Sequence, residues 1–162
     1  MPMMARVKPR RPAAPRAACM CGSLRKASRR ISQFYDTALA PVGIKSTQFS
    51  ILAEVERSGR AAPVTMCELA SAMVMDRSTL GHNLRPLERD DLVVLRQARH
   101  DRRKHYVELT AKAKSLLPRA RRLWRRAENR FETIFGKDPA AELRAVLLNI
   151  ANNRDLDPRP LR

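Results

Sequence analysis

Residues 77–89 carry polar and basic side chains at the spacing of one helix face. Steps of four, three and four residues separate the members of this face, which are Ser78, His82, Arg85 and Arg89. The opposite face is apolar, with Leu80, Leu84 and Leu87 at steps of four and three. Polar and cationic side chains of these types bond to base edges and to phosphate oxygens. The pattern favours a DNA-contacting helix over a merely solvated one, with contacts from Arg77, Ser78, Thr79, His82, Arg85 and Arg89.

A shorter helix is predicted before this face, and capping residues mark both helices. Thr65 and Glu68 have the spacing of a capping box, in which each side chain bonds the backbone N–H of the other. The apolar face expected of this helix consists of Leu69, Ala70, Met73 and Val74. Asp76 has the position and the side chain of an N-cap for the helix from Arg77 to Arg89. Two helices joined by a tight turn predict a helix-turn-helix.

Two predicted strands and a basic loop follow the second helix. Residues 92–95 and 105–109 have strand composition, and the loop 96–104 between them has five Arg or Lys side chains against one carboxylate. Such a loop suits phosphate contact or insertion of arginine into a narrow minor groove, and a solvated turn is the alternative. We predict DNA contacts from Arg99, Arg102, Arg103 and Lys104. We also predict that Asp101 pairs with Arg103 and stabilises the tip of this wing.

These segments together resemble the MarR family of bacterial transcriptional regulators, winged-helix dimers that repress genes until a ligand or an oxidant loosens them. The resemblance rests on residues 76–80, 87–93, 101–103 and 107–110, and it extends over about residues 21–130. Gly81 and His82 stand where many members have Thr and Arg, so an expected arginine contact falls to His82. Pro86 lacks the N–H that would bond the His82 carbonyl, which predicts a local kink.

The flanking segments predict how the domain assembles. Apolar residues recur at helical spacing before and after the winged helix, and these stripes exceed what the small domain can cover. The sequence therefore predicts a homodimer that meets two half-sites about 34–36 Å apart. The expected fold is mainly α with a small β-hairpin wing, a winged helix-turn-helix flanked by N- and C-terminal dimerisation helices. The predicted segments are a basic arm 1–22, a first dimerisation helix 23–43, the DNA-binding domain 44–110, C-terminal dimerisation helices 111–153 and a flexible tail 154–162.

Composition agrees with a binder of polyanions. The 162 residues include 33 Lys and Arg against 16 Asp and Glu, for a formal net charge of +17, and such an excess favours polyanions through counterion release. Aromatic residues make up only 4%, which disfavours the stacking platforms of RNA and single-strand binders. No apolar run approaches the roughly 20 residues of a membrane span. With the MarR resemblance, which implies a bacterial protein, we expect a cytoplasmic, nucleoid-associated protein that binds double-stranded DNA and no membrane.

The three cysteines fall into two classes. Cys67 is expected to be a small core residue of the first helix of the helix-turn-helix. Cys19 and Cys21 stand at the entrance of the first long helix among basic residues, an environment that favours the reactive thiolate. An inert thiol pair is the alternative. A metal site is not expected, because Cys-x-Cys supplies too few of the four ligands that zinc requires.

The resemblance adds a candidate redox site. Cys21 matches the reactive cysteine of the organic-hydroperoxide-sensing branch of the MarR family, and Tyr35 matches a tyrosine that helps to hold this cysteine. Arg25 and Ser46 occupy the positions of two further tyrosines of that branch. The candidate redox residues are therefore Cys19, Cys21 and Tyr35.

The resemblance also implies a second kind of signal, a small aromatic or acidic effector held between the dimer helices and the winged helix. Tyr35, Phe49 and Met73 are the apolar candidates for such a pocket, and plain core packing is the alternative for them. Arg25 and Arg29 could receive a carboxylate or a coenzyme-A phosphate. No cofactor is expected.

Enzymatic functions are disfavoured. The five glycines form no phosphate-binding loop, and no Ser, Cys, His and carboxylate arrangement has a plausible triad layout. The leading hypothesis is a dimeric repressor that binds a pseudo-palindromic operator and is released by an effector or by thiol oxidation. The alternatives are a non-specific architectural nucleic-acid binder and an oxidant-handling thiol protein.

Overall fold

The computed structural model describes residues 19–60, 62–97 and 104–157. The elements in these ranges are α1 Met20–Leu39, α2 Ser46–Ser58, β1 Val64–Thr65, α3 Met66–Ala72, α4 Arg77–Arg89, β2 Val93–Gln97, β3 His105–Leu109, α5 Ala111–Phe135 and α6 Lys137–Asn152. Short 3-10 turns, Ala40–Val42 and Arg154–Leu156, follow α1 and α6. Residues 32–128 form one compact unit, and the described residues before and after them belong to a second.

The strands form a small antiparallel sheet in the order β1-β3-β2. Leu95 is the register partner of Val107 from one side, and Val64 is its partner from the other. The prediction of a mainly helical fold with a small antiparallel wing is confirmed. The third strand, β1, was not expected from the sequence, and β2 runs to Gln97 rather than ending at residue 95.

The core of the 32–128 unit fixes the orientation of α4. Leu80, Leu84 and Leu87 are completely buried, so the apolar stripe predicted from their spacing is the buried side of this helix. They join a single cluster of fully buried side chains from α2, α3 and α5, which includes Ile51, Leu52, Leu69 and Leu117. Burial of these leucines leaves the opposite side of α4 facing outward.

Local hydrogen bonds set where α3 and α4 begin, as predicted. The Thr65 N–H donates to Glu68 Oε2 at 2.9 Å, and the Glu68 N–H donates to Thr65 Oγ1 at 3.2 Å, which completes the capping box. The Asp76 carboxylate accepts the N–H of Thr79 at 2.7 Å at the start of α4. At the start of each helix, a side chain three residues earlier therefore accepts a backbone N–H that has no partner within the helix.

The end of α3 corrects one prediction. The Met75 N–H donates to the Ala70 carbonyl at 2.9 Å, and the Val74 N–H donates to the Ser71 carbonyl at 3.1 Å. This pair of bonds is a Schellman motif, which places Val74 in the left-handed region at φ 52. Val74 was expected on the apolar face of the helix, but the helix has already ended and its side chain is 69% exposed.

The end of α4 uses the same motif with a different residue. The Leu92 N–H donates to the Leu87 carbonyl at 2.8 Å and the Asp91 N–H donates to the Glu88 carbonyl at 3.0 Å, with Asp91 at φ 54. Leu92 and Leu87 are both buried, as the apolar partners of this motif often are. The helix continues through Pro86 to Arg89.

The expectation for Cys67 is also wrong. Cys67 lies in α3 as predicted, but it is exposed. The buried residues of this short helix are Leu69 and Ala70. A seven-residue helix presents only a narrow stripe to the core, and Cys67 falls outside that stripe.

The unit that includes α6 has a different surface. Helix α6 begins at Lys137 after Gly136, whose φ is 91, and Ala140 is its buried residue. Large apolar side chains at the end of α5 and along α6 are between 39% and 56% exposed; they are Ile134, Phe135, Leu143, Val146, Leu147, Leu148 and Ile150. Within the described ranges, no helix is both long and apolar enough to cross a membrane.

Candidate nucleic-acid interface

The outer side of α4 presents the predicted contact residues together. All six are exposed, and they are Arg77, Ser78, Thr79, His82, Arg85 and Arg89. The exposure of Ser78, His82, Arg85 and Arg89 follows from the burial of Leu80, Leu84 and Leu87 on the other side of the same helix. Arg77 is exposed as the first residue of the helix. The helix can therefore offer hydrogen-bond donors and positive charge along one surface without giving up its core packing.

Asp76 orders the first turn of this surface. The hydroxyl of Ser78 donates to the Asp76 carboxylate, and the N–H and hydroxyl of Thr79 donate to it at 2.7 Å each. These hydrogen bonds, with that of Ser78 the largest contribution, hold the pKa of Asp76 well below its usual value. The Ser78 and Thr79 hydroxyl protons are used in this cap, so each hydroxyl oxygen keeps only its capacity as an acceptor.

The centre of the surface is less constrained. Among the described residues, neither His82 nor Arg85 makes a side-chain hydrogen bond or an ion pair, whereas Arg89 Nε lies 3.3 Å from Asp90 Oδ1. A Cβ added at Gly81 would meet nothing within 4 Å, so packing does not require glycine there. His82 and Arg85 thus have polar groups that no described residue engages, which leaves them available to an external partner.

The wing is described only at its base. Arg99, Asp101, Arg102 and Arg103 lie outside the described residues, so their predicted contacts and the Asp101–Arg103 pair stay predictions. Lys104 is described and exposed.

A cross-strand ion pair lies at the base of the wing. Arg96 Nε donates to Glu108 Oε2 at 3.0 Å and links β2 to β3. Arg96 was expected among the cations of the basic loop, but it lies in β2 and pairs with Glu108. Opposite charges of this kind favour cross-strand pairing.

The three cysteines are all exposed. Backbone N–H groups of Gly22 first, and of Cys21 second, donate to the Cys19 sulfur and lower the pKa of that thiol. Cys19 immediately precedes α1, and Cys21 lies in its first turn. Within the described ranges, no group of three or more His, Cys, Asp or Glu side chains could hold a metal ion.

Tyr35, the third candidate redox residue, belongs to an aromatic stack in the 32–128 unit. Its ring lies 4.1 Å from that of Trp124, and the Phe49 ring lies 4.6 Å from Trp124 on a similarly shallow angle of 25°. Tyr35 is buried, and its hydroxyl donates to Glu128 Oε1 at 2.5 Å. The contact of Trp124 with Tyr35 and Phe49 was not expected from the sequence.

The predicted effector residues therefore lie in several surroundings. Tyr35 and Phe49 meet through Trp124, and Met73 is half-buried against the core of the same unit. Arg25 and Arg29 line an open cavity of about 370 Å³ with Leu24 and Ser28, all on α1. Whether these residues bind an effector stays a prediction.

Comparison with known proteins decides the family. The model of the MarR family matches residues 42–104. The crystal structure of the M. tuberculosis transcriptional regulator MosR in complex with DNA is 36% identical, with a TM-score of 0.73, and the match covers 83% of this chain and 94% of that chain. This chain belongs to the MarR family. It is a DNA-binding transcriptional regulator and not an enzyme.

Two structures of the transcriptional repressor CouR are also similar to this MarR-family chain. One is bound to a 23-mer DNA duplex and is 29% identical, with a TM-score of 0.71 over 83% of this chain and 93% of that chain. The other is bound to p-coumaroyl-CoA and is 26% identical, with a TM-score of 0.72 over the same shares of the two chains. No match was found among curated protein sequences.

Proposed function

We propose that this regulator is a repressor that binds a pseudo-palindromic operator as a homodimer and that a small organic effector or oxidation of a thiol releases it. The observation that carries the DNA-binding part is the outer side of α4, where exposed polar groups oppose three completely buried leucines. Arg85 and His82 are the residues proposed to read base edges. Arg77 and Arg89 are proposed to contact phosphates, together with the basic side chains of the wing.

A homodimer is supported by the exposed apolar side chains of α6 and the end of α5. Monomeric soluble proteins rarely expose contiguous apolar patches beyond a few hundred Å², and these side chains recur on both helices. We propose that a second copy of the chain covers these side chains, because a twofold dimer gives a repressor two DNA-binding domains for the two halves of an inverted repeat.

The DNA-binding proposal is tested by three single variants and two DNA duplexes. Arg85→Ala should weaken binding to an inverted repeat from the upstream region about ten- to hundredfold and weaken binding to random duplex much less, because base contacts carry the discrimination. If Arg102 contacts a phosphate, Arg102→Ala should weaken binding to both duplexes. The slope of log affinity against log salt concentration should then fall in magnitude by roughly one. Arg125→Ala, an exposed arginine of α5, is the control for loss of one positive charge.

The outcomes separate the alternatives. Equal losses of Arg85→Ala on the two duplexes would remove the base-reading role of α4. Equal affinity of the native protein for operator and random duplex would leave the non-specific architectural function instead.

Release by oxidation is proposed at Cys19 or Cys21, and the lowered pKa of the Cys19 thiol supports Cys19. A thiolate attacks an organic hydroperoxide, the O–O bond breaks, and a sulfenic acid and an alcohol form once the leaving alkoxide takes a proton. Stoichiometric oxidation that lowers operator affinity in the native protein but not in Cys19→Ser would support this sensor. Retained release by hydroperoxide in the Cys19→Ser, Cys21→Ser double variant would exclude it. Continuous hydroperoxide consumption with a reductant would indicate the thiol-protein alternative.

Release by an organic effector is supported by the similarity to the transcriptional repressor CouR, one structure of which is bound to p-coumaroyl-CoA. Titration of the operator complex with aromatic acids and their coenzyme-A thioesters tests this branch. Operator release that persists in the Cys19→Ser, Cys21→Ser double variant would separate the effector from the thiols.

A further inference from the structure

Three arginines of α5 line one cavity together with the 3-10 turn that follows α1. The cavity has a volume of about 140 Å³, and its lining residues are Pro41, Val42, Arg119, Arg122, Leu123 and Arg126. The arginines are separated by three and four residues, so they project from one face of the helix. The turn contributes Pro41 and Val42, and Leu123 adds apolar surface between the arginines.

No carboxylate of the described residues pairs with the arginines of this cavity. None of its lining residues is a carboxylate, and within the described ranges Arg119, Arg122 and Arg126 form no ion pair. Arg121 on the same helix differs, because it pairs with Glu56. Like charges three and four residues apart destabilise a helix, so a bound anion at the three arginines would relieve their repulsion.

The size and the charge of the cavity restrict its ligand. An apolar protein cavity of about 150 Å³ takes up benzene, whereas drug-sized ligands occupy roughly 300–1,000 Å³. Three guanidinium groups match the charge of about −1.5 to −2 and the three acceptor oxygens of a phosphate monoester better than the single charge of a carboxylate. The ligand that fits is therefore a phosphate joined to one small ring or a short apolar chain.

We propose that this cavity binds a small organic phosphate, with the phosphate on Arg119, Arg122 and Arg126 and the apolar group against Val42 and Leu123. The binding itself depends only on the cavity. The assignment of such a phosphate as the effector that releases DNA rests on the proposed repressor function.

Isothermal titration of the full chain with phenyl phosphate and with inorganic phosphate tests the binding. We expect phenyl phosphate to bind about tenfold more tightly than inorganic phosphate, because the ring adds apolar contact that the free ion lacks. Arg122→Ala should weaken phenyl phosphate binding about tenfold. Arg125→Ala is the matched control, since it removes the same charge from an exposed neighbour that does not line the cavity.

Three results would overturn the proposed site. They are equal affinities for phenyl phosphate and inorganic phosphate, equal losses in Arg122→Ala and Arg125→Ala, and the absence of phenyl phosphate binding at millimolar concentration. Circular dichroism of both variants checks that α5 is intact.

A separate titration of the operator complex distinguishes this inference from the proposed function. Release of operator by phenyl phosphate, lost in Arg122→Ala, supports the effector role. Binding of phenyl phosphate without release overturns the effector role and leaves the site. If the native protein binds no operator, the repressor function fails while the calorimetric result still decides the site.

Discussion

Helices α4 and α6 are both amphipathic, but they use their apolar residues in opposite ways. In α4, Leu80, Leu84 and Leu87 are completely buried within the single chain. In α6, Leu143 and Val146 are 44% and 56% exposed, and neighbouring large apolar residues are exposed to a similar degree. The exposed side of α4 is polar and basic, whereas the exposed residues of α6 include its large apolar side chains.

This contrast indicates that α4 contributes to the folding of a single chain, whereas we expect α6 to contribute to assembly. The apolar side chains of α4 are already buried within one chain, so its exposed residues are available to bind an external polyanion. Among the described residues, nothing buries the apolar side chains of α6, and we expect a second copy of the chain to do so. We therefore expect substitutions in α4 to act on folding and DNA recognition, and substitutions in α6 to act first on assembly.

The largest expected effect is on assembly. Replacing Val146 and Leu147 by Glu should raise the dissociation constant of the dimer by at least about hundredfold, because an interface would bury unpaired carboxylates. Sedimentation equilibrium measures this constant, and operator affinity should fall with it. Asn149→Glu adds the same type of charge to an exposed polar position of α6 as a control. An unchanged dissociation constant in the double variant would end the assignment of α6 to a dimer interface.

The second effect is on folding and comes from α4. Leu84→Ala should lower the free energy of unfolding by about 2–5 kcal/mol, since it removes a completely buried side chain and leaves a cavity. Urea unfolding at fixed protein concentration measures the change, because dimer formation would make apparent stability depend on concentration. A loss below about 0.5 kcal/mol, the range of ordinary surface substitutions, would contradict the description of α4 as complete within one chain.

The third effect is a pH dependence at the first turn of α4. Hydrogen bonds from Ser78 and Thr79 depress the pKa of Asp76 below its usual 3.8. The unfolded chain therefore binds a proton at higher pH than the folded one, and this stabilisation is present above pH 3.8 and lost as the pH falls through the folded pKa.

Asp76→Asn keeps a cap oxygen for the Thr79 N–H but removes the titration. We expect the variant to be less stable than the native protein at neutral pH and to show a shallower loss of stability in acid. Chemical unfolding from pH 2 to pH 7 gives both curves. Parallel curves would show that Asp76 does not supply the acid dependence.

The sequence predicted most where the physical signal is local. Thr65, Glu68 and Asp76 bond to groups within three residues, and α4 begins at Arg77 and ends at Arg89 as expected. The outer face of α4 followed from the same periodicity, because the buried leucines fix which side faces solvent.

The features that the sequence did not predict depend on distant residues or on the end of a short helix. Strand β1 consists only of Val64 and Thr65, and it exists because it pairs with β3 far along the chain. Trp124 joins Tyr35 and Phe49 only after α1, α2 and α5 have packed. Neither pairing leaves a local periodicity, so a pattern within one segment could not indicate it.

The smallest prediction concerns the two Schellman motifs that end α3 and α4. Asp91 at φ 54 tolerates the left-handed region, whereas a β-branched residue such as Val74 at φ 52 is strained there. Val74→Asn should raise the free energy of unfolding by about 1 kcal/mol, and Val74→Ala, which has no branched Cβ, should raise it less. Urea unfolding ranks the three proteins. A less stable Val74→Asn would mean that the exposed valine makes contacts that outweigh its backbone strain, so that its side chain would stabilise the turn before the helix that is proposed to contact DNA.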